Sequence, residues 1–306
     1  MSASITLIGS VTPSYQESFE AWLNKDNSIT NKQKLTNNSD INVVIRYNLR
    51  NAYYDTKASE IRAHLLSLSD STKIDHVYQS ISIDITLPGV AVFDMDSTLI
   101  QAEVMDELAV EFGIGEQIAS ITESAMRGEI DFTESFVQRL ALLDGLKSDV
   151  MDGVYDRITH MEGVGTLMKV LNHFQWRTAI LSGGFTYFAD RIAEVYSISE
   201  VHANVLEIEA GKLTGKHIGP IVDAVRKKQL LEEIVLASAT PWTQTIACGD
   251  GANDLLMLNT ASMGVALHAK PLVRKEAPQP INALGLDGIL YLLGMSSSEI
   301  RAIADI

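Results

Sequence analysis

Val90 to Phe93 is a short apolar run that ends on two carboxylates, Asp94 and Asp96, and this junction narrows the possible folds more than any other stretch. A run of that length without polar alternation suits a strand buried on both faces of a parallel sheet. Side chains two apart on a strand point the same way. The two acids would then share one pocket at the strand's carboxyl end, where open α/β sheets take their ligands. Two anions so close repel each other unless a cation or a shared proton relieves them. Ser97 and Thr98 follow and can start a turn or cap a helix. Read alone, Asp-x-Asp could be an acidic surface turn; three later segments weigh against that.

The first is Arg177 to Gly184, in which Thr178 to Leu181 suits a second buried strand. Ser182 then meets two glycines before a helical stretch from Phe185 to Tyr196, so a hydroxyl and backbone N–H groups can cradle a phosphate there. The second is Arg226-Lys227-Lys228, just before a helix carrying Leu230, Leu231, Ile234 and Val235. Cations at a helix start oppose the macrodipole, a local cost that a phosphate partner would offset, although surface solubility is the commoner reason for such a run. The third is Thr245 to Asp254: an apolar strand ends in Asp250, turns through glycine, and reaches Asn253 and Asp254 at the opening of a helix. Asp250 and Asp254 can both reach a cation, and oxygen donors of this kind suit Mg²⁺.

About sixty helical residues separate the first strand from the second. Val104, Leu108 and Phe112, then Ile118, Ile121 and Ala125, then Phe136, Leu140 and Leu143 make three apolar stripes, punctuated by Gly113, Gly128 and Gly145. An insertion at about 100–160 is well placed to act as a lid. Ahead of the central strand, residues 1–86 read as a small α+β unit of order β-α-β-β-α-β, the order of a ferredoxin-like sandwich. Its named elements are strands at Ile5 to Ile8, Ile41 to Tyr47 and Val77 to Ile85, with helices at Tyr15 to Leu23 and Ala58 to Leu68. Leu87-Pro88-Gly89 ends that unit. Met263 to Leu267 reads as a further strand, and the tail as a short helix around Ile289 to Leu293.

The chain's 306 residues allow two domains, and 46% apolar content fills a core. No apolar run reaches the roughly 18 residues a membrane span needs, and the start lacks the features of a secretory signal. One cysteine, Cys248, excludes an intrachain disulfide framework and suits a reducing cytoplasm. A formal charge of −15 without a long basic run argues against nucleic acid. It also means that an anionic substrate needs local cations, from side chains or a metal.

The four motifs in this order resemble the haloacid-dehalogenase superfamily of phosphohydrolases from about residue 89 to 306. That resemblance implies an α/β fold: a doubly wound, Rossmann-like parallel sheet with a helical cap insertion, beside the N-terminal α+β domain. Asp-Met-Asp-Ser-Thr, Glu103, Met126-x-Gly128-x-x-x-Phe132 leading to Arg139, Ser182-Gly183-Gly184-Phe185 and Gly249 to Asp254 narrow it to the phosphoserine phosphatases. The family implies cytoplasmic, Mg²⁺-dependent hydrolysis of O-phospho-L-serine to L-serine and phosphate, the last step of serine biosynthesis. By the same resemblance Asp94 is the nucleophile that forms an aspartyl-phosphate and Asp96 the general acid and base. Ser182, Gly183 and Lys227 bind phosphate; Glu103, Met126, Phe132, Arg139 and Asn253 bind substrate. Mg²⁺ is held by Asp94, the Asp96 carbonyl and Asp250, with Asp254 behind them. Lys227 rather than Lys228 fits the family lysine because it stands four residues before Leu231.

The N-terminal unit resembles an ACT-type regulatory domain in element order, which leaves serine binding, homodimer formation and plain packing open for it. Two other readings compete for the core: a phosphatase or phosphotransferase for another small phosphomonoester, and a phospho-acceptor signalling domain. The second would store the acyl phosphate, whereas Asp96 is spaced to hydrolyse it.

Overall fold

A computed structural model describes residues 3–24, 28–50 and 58–306, apart from the Met126 side chain. The N-terminal elements are β1 (Ser4–Gly9), α1 (Pro13–Leu23), β2 (Ile29–Lys34), β3 (Val43–Leu49), α2 (Ala58–Thr72) and β4 (Asp75–Gln79). After β5 (Val90–Phe93) come four helices: α3 (Val104–Phe112), α4 (Gly115–Met126), α5 (Phe132–Ala141) and α6 (Val150–Tyr155). Then follow α7 (Val164–His173), β6 (Arg177–Phe185), α8 (Thr186–Tyr196), β7 (Glu200–Glu209), β8 (Lys212–Ile218) and α9 (Ala224–Ala237). The remainder is β9 (Thr245–Gly249), α10 (Leu255–Thr260), β10 (Met263–Leu267), α11 (Pro271–Glu276), β11 (Gln279–Ile281), α12 (Gly288–Leu292) and α13 (Ser297–Ala304). Contacts divide the chain into a first unit of Met1–Ala91, Glu162–Arg177 and Val235–Ile306 and a second of Val92–Met161 and Thr178–Ile234.

In the first unit an antiparallel sheet of order β2-β3-β1-β4 carries α1 and α2. Thr12 opens α1, its Oγ1 accepting the Tyr15 N–H at 3.2 Å, with Pro13 at the first helical position. Phe19 and Leu23 of α1 and Ile61 and Leu65 of α2 bury their apolar faces with Ile5, Leu7, Ile45 and Tyr47 of the sheet. Among the described residues this is the expected β-α-β-β-α-β order, with β3 and β4 shifted from the anticipated bounds; Ile41 lies outside any described strand and is 95% exposed. Polar groups tie the sheet to the C-terminal segment: Asp75 accepts the Asn282 and Ala283 N–H groups, each at 2.7 Å, and Arg46 Nη1 donates to the Leu292 carbonyl at 2.6 Å. That segment contributes β9, β10 and β11, paired in parallel.

In the second unit β6 and β7 run parallel, and β7 turns back into β8 as an antiparallel hairpin. The α/β part is thus mixed but mostly parallel, in keeping with the expected fold class. Helices α3 to α6 fill the expected insertion. Gly113, left-handed at φ 74°, ends α3, and Asp131 caps α5 by accepting the Glu134 N–H at 2.7 Å. Val104, Leu108, Ile118, Phe136, Leu140 and Leu143 are buried. Phe112, at the end of α3, is 37% exposed and does not continue its stripe. No described helix is long and apolar enough to cross a membrane.

Candidate active site

All four residues of β5 are fully buried, so the chain delivers Asp94 at the end of a strand that cannot reach solvent. Asp94 is itself only 5% exposed. Its Oδ1 accepts the Met95 N–H at 2.7 Å, and its Oδ2 faces Lys227 Nζ at 2.9 Å. Lys227 is completely buried, whereas Lys228 points outward to Glu232 at 3.5 Å. The basic residues do not precede their helix, as expected from the sequence, but lie within the first turns of α9. Asp223 makes this possible by accepting the Arg226 N–H at 2.8 Å.

Asp96 is half-buried, and burial first, then the charges of Glu103 and Asp94, push its carboxyl well above the usual range. The Val104 N–H and Lys227 pull the other way but do not win. A carboxyl so placed keeps its proton where free aspartic acid has lost it. Ser97 adopts a left-handed φ of 57°, and its hydroxyl donates to Glu103 Oε1 at 2.8 Å. A non-glycine residue in that region is strained, and such strain concentrates at functional sites.

Ser182 is fully buried on β6. The strand does not stop there but runs on to Phe185, with its pairing to β7 interrupted between Leu181 and Phe185. Ser182 Oγ accepts the Gly184 N–H at 2.9 Å, so that N–H turns inward instead of lining a cradle. The hydroxyl proton of Ser182 remains available to a ligand. Gly184 is closely surrounded: a Cβ there would lie 2.8 Å from Asp96 Oδ2 and from Met95 Cε, and 3.2 Å from Ser182 Oγ, so these side chains would have to give way.

The cap residues belong to the same unit. Phe132 is half-buried, and its Cζ would lie 3.1 Å from a Cβ at Gly183. Arg139 is half-buried with Nε directed at the Ser135 carbonyl at 3.4 Å. Burial lowers its pKa, while Asp106, Glu103 and Asp96 favour its charge. Glu103 is exposed at the start of α3. Met126 closes α4, and its side chain lies outside the described residues.

One residue that braces the site's backbone escaped the sequence reading. Asn204 on β7 is 1% exposed and uses both ends of its amide. Its Nδ2 donates to the Gly183 carbonyl at 2.8 Å, and its Oδ1 accepts the Val222 N–H at 2.9 Å. It links Gly183, near the end of β6, to the segment that leads into α9 and Lys227. A lone asparagine in an undetected strand gave no signal.

Asp250, Asn253 and Asp254 lie in the first unit, where β9 delivers them as β5 delivers Asp94. Asp254 is fully buried, and its Oδ2 accepts the N–H groups of Asp250 at 3.1 Å and Gly251 at 2.9 Å. An oxygen so engaged fits a supporting role. Asp250 is 8% exposed, and like Asp94 offers a hard carboxylate donor of the kind Mg²⁺ takes. Asn253 is half-buried, with Oδ1 only 2.3 Å from where a Cβ at Gly251 would stand.

Residues 91–259 match the haloacid dehalogenase-like hydrolase family. The phosphoserine phosphatase of Streptomyces coelicolor is 44% identical over 211 residues, which cover 69% of this chain and 52% of that protein. The chain therefore spans about half the length of this relative. A haloacid dehalogenase family hydrolase from Salmonella enterica superposes with a TM-score of 0.84 at 32% identity, covering 95% of this chain and 98% of the other. A phosphoserine phosphatase solved as a phospho-aspartyl intermediate analogue gives 0.63 at 34% identity, covering 67% of this chain and 98% of its own. The chain belongs to the haloacid dehalogenase-like hydrolases, and the Streptomyces coelicolor relative among them is a phosphoserine phosphatase.

Proposed function

We propose that this chain hydrolyses O-phospho-L-serine to L-serine and phosphate through an aspartyl-phosphate on Asp94. The observation that carries the reading is Asp94, held at 2.9 Å by buried Lys227, two residues before an acid whose pKa is raised by burial and by the neighbouring charges of Glu103 and Asp94. The phospho-aspartyl intermediate analogue solved for a similar phosphatase supports the same step.

A carboxylate oxygen of Asp94 attacks phosphorus, and the bond from phosphorus to the serine oxygen breaks. Asp96 gives its proton to that departing oxygen, then takes one from the water that attacks the acyl phosphate. Water attack releases inorganic phosphate and restores both carboxyls. Lys227 and the Ser182 hydroxyl, with Gly183 beside it, stabilise the transferring phosphoryl oxygens; one such donor is worth about 3 kcal/mol. Glu103 takes the substrate ammonium, and Arg139 its carboxylate in a two-pronged contact. Phe132 and Met126 exclude water from the closed site, and Asn253 contributes to substrate binding. Asp94, the Asp96 carbonyl and Asp250 would hold Mg²⁺, with Asp254 orienting them. When bound, the ion neutralises the repulsion between carboxylate and phosphate and polarises the phosphoryl group.

For residues 1–86 we propose an ACT-like domain that binds serine or joins two copies as a homodimer. Residues 89–306 would be the catalytic domain, capped by about 100–160, working in the cytoplasm. The test is phosphate release from phosphoserine with Mg²⁺ and with chelator, wild type beside Asp94→Asn, against a panel of sugar and nucleotide monophosphates. Phosphoserine should lead by a wide margin, chelator and Asp94→Asn should abolish release, and Arg139→Ala should raise KM more than it lowers kcat. Equal rates on unrelated phosphomonoesters would refute the assignment.

A further inference from the structure

The first unit contains a cavity of about 530 Å³ that shares no lining residue with the candidate active site. Its walls come from α2, β4, the last turn of α11, and the turn that leads from it into β11. This volume is in the range of small-molecule sites, roughly 300–1,000 Å³. Leu65, Leu66, Pro278 and Pro280 make much of the wall apolar.

The charges are distributed unevenly. Arg62, Arg274 and Lys275 line the cavity against Asp70 and Glu276, a local positive excess in a chain of net charge −15. Arg274 already answers Asp70 in an ion pair. Among the described residues Arg62 pairs with no acid, and its guanidinium carbon lies 5.8 Å from the centre of the Tyr78 ring. Among the described residues, neither Arg62 Nε nor Arg274 Nε, both shut off from solvent, finds an acceptor. Buried donors normally have partners, and a charged one without an acceptor is costly. His76 adds no charge, because burial pushes its pKa down to about 4. Its Nδ1 meets the Ile74 carbonyl and its Nε2 the Tyr15 hydroxyl, each at 2.7 Å, so a neutral ring satisfies both contacts.

We propose that this cavity binds a small organic anion, a carboxylate or phosphate on an apolar body, with Arg62 as its main charge partner. The planar guanidinium suits either acid in a two-pronged contact. The leucines and prolines receive the apolar part. Because the walls come from residues 59–78 and 274–280, an occupant fastens the N-terminal sheet to the C-terminal strand and stabilises the folded unit.

Benzoate and phenylphosphonate, which cannot be hydrolysed at the phosphorus–carbon bond, are the probes for the two acid classes. Each is titrated by calorimetry and thermal shift into the full chain carrying Asp94→Asn, with and without Arg62→Met. The expected result is one-site binding of at least one probe that raises Tm and weakens about tenfold or more in Arg62→Met, a charge-assisted contact's worth. Benzoate alone assigns the site to carboxylates, phenylphosphonate alone to phosphates. Leu66→Trp, which fills the cavity and keeps Arg62, should also abolish binding, so the conclusion does not rest on one variant folding. Binding of neither probe, or equal binding in both variants, would overturn the proposal.

Discussion

Replacing Lys227 by Met removes one member of a buried ion pair and leaves the other. The two charges are 2.9 Å apart, and neither side chain is more than 7% exposed. At that separation and an effective dielectric of about 20, their attraction is about 6 kcal/mol, most of which desolvation of the two ions offsets. Breaking a buried pair from one side is a larger loss, about 3–5 kcal/mol, because the remaining charge stays out of water uncompensated. Lys227→Met should therefore lose that much stability. Asp94→Asn combined with Lys227→Met removes both charges and should recover most of it. Urea unfolding of wild type, both single variants and the double, followed by far-UV circular dichroism in chelator at neutral pH, closes the cycle. The reasoning is refuted if Lys227→Met costs less than about 1 kcal/mol, or if the two single losses simply add.

Asp96→Asn should alter the pH dependence of stability. A folded-state pKa raised above the unfolded value contributes stability that is complete below the unfolded pKa, about 3.9, and is lost as pH rises through the folded one. In chelator the wild-type Tm should thus fall as pH climbs above that value, and the variant's slope should be flatter; matching slopes would remove the argument. Asn204→Ala leaves the Gly183 carbonyl and Val222 N–H without partners, which should cost about 2 kcal/mol or more and slow phosphate release. Unchanged stability and turnover would contradict its role. Gly184→Ala places a methyl 2.8 Å from Asp96 Oδ2 and should reduce kcat by about tenfold or more without changing the circular dichroism spectrum. A fully active variant would show that Asp96 can move aside.

The residues that sit at strand ends were readable because chemistry and burial coincide there. Val90–Phe93 is fully buried, so its apolar run is uninterrupted and the acids after it stand out. Thr245–Gly249 works the same way. Strands with one wet face were harder to see. In β2, Ile-Thr-Asn-Lys-Gln-Lys has five exposed positions, leaving no alternation to detect. The β7–β8 hairpin was not anticipated either: Val205, Ile208 and Ile218 are 40%, 44% and 55% exposed, so its apolar residues do not mark an inside. Asn204 went unnoticed with it. The choice between Lys227 and Lys228 rested on resemblance, since one residue of helix rotation separates a buried side chain from a half-exposed one.

The order in which the two units use the chain has a consequence during synthesis. Residues 92–161 and 178–234 complete the second unit, while the first still awaits 235–306 and, with them, β9 to β11. A polypeptide emerging from the ribosome can therefore finish the unit with Asp94, Asp96 and Lys227 before the one with Asp250 has its last strands. Translation thus delivers the strand end bearing Asp94, and the helix bearing Lys227, before the strand end bearing Asp250.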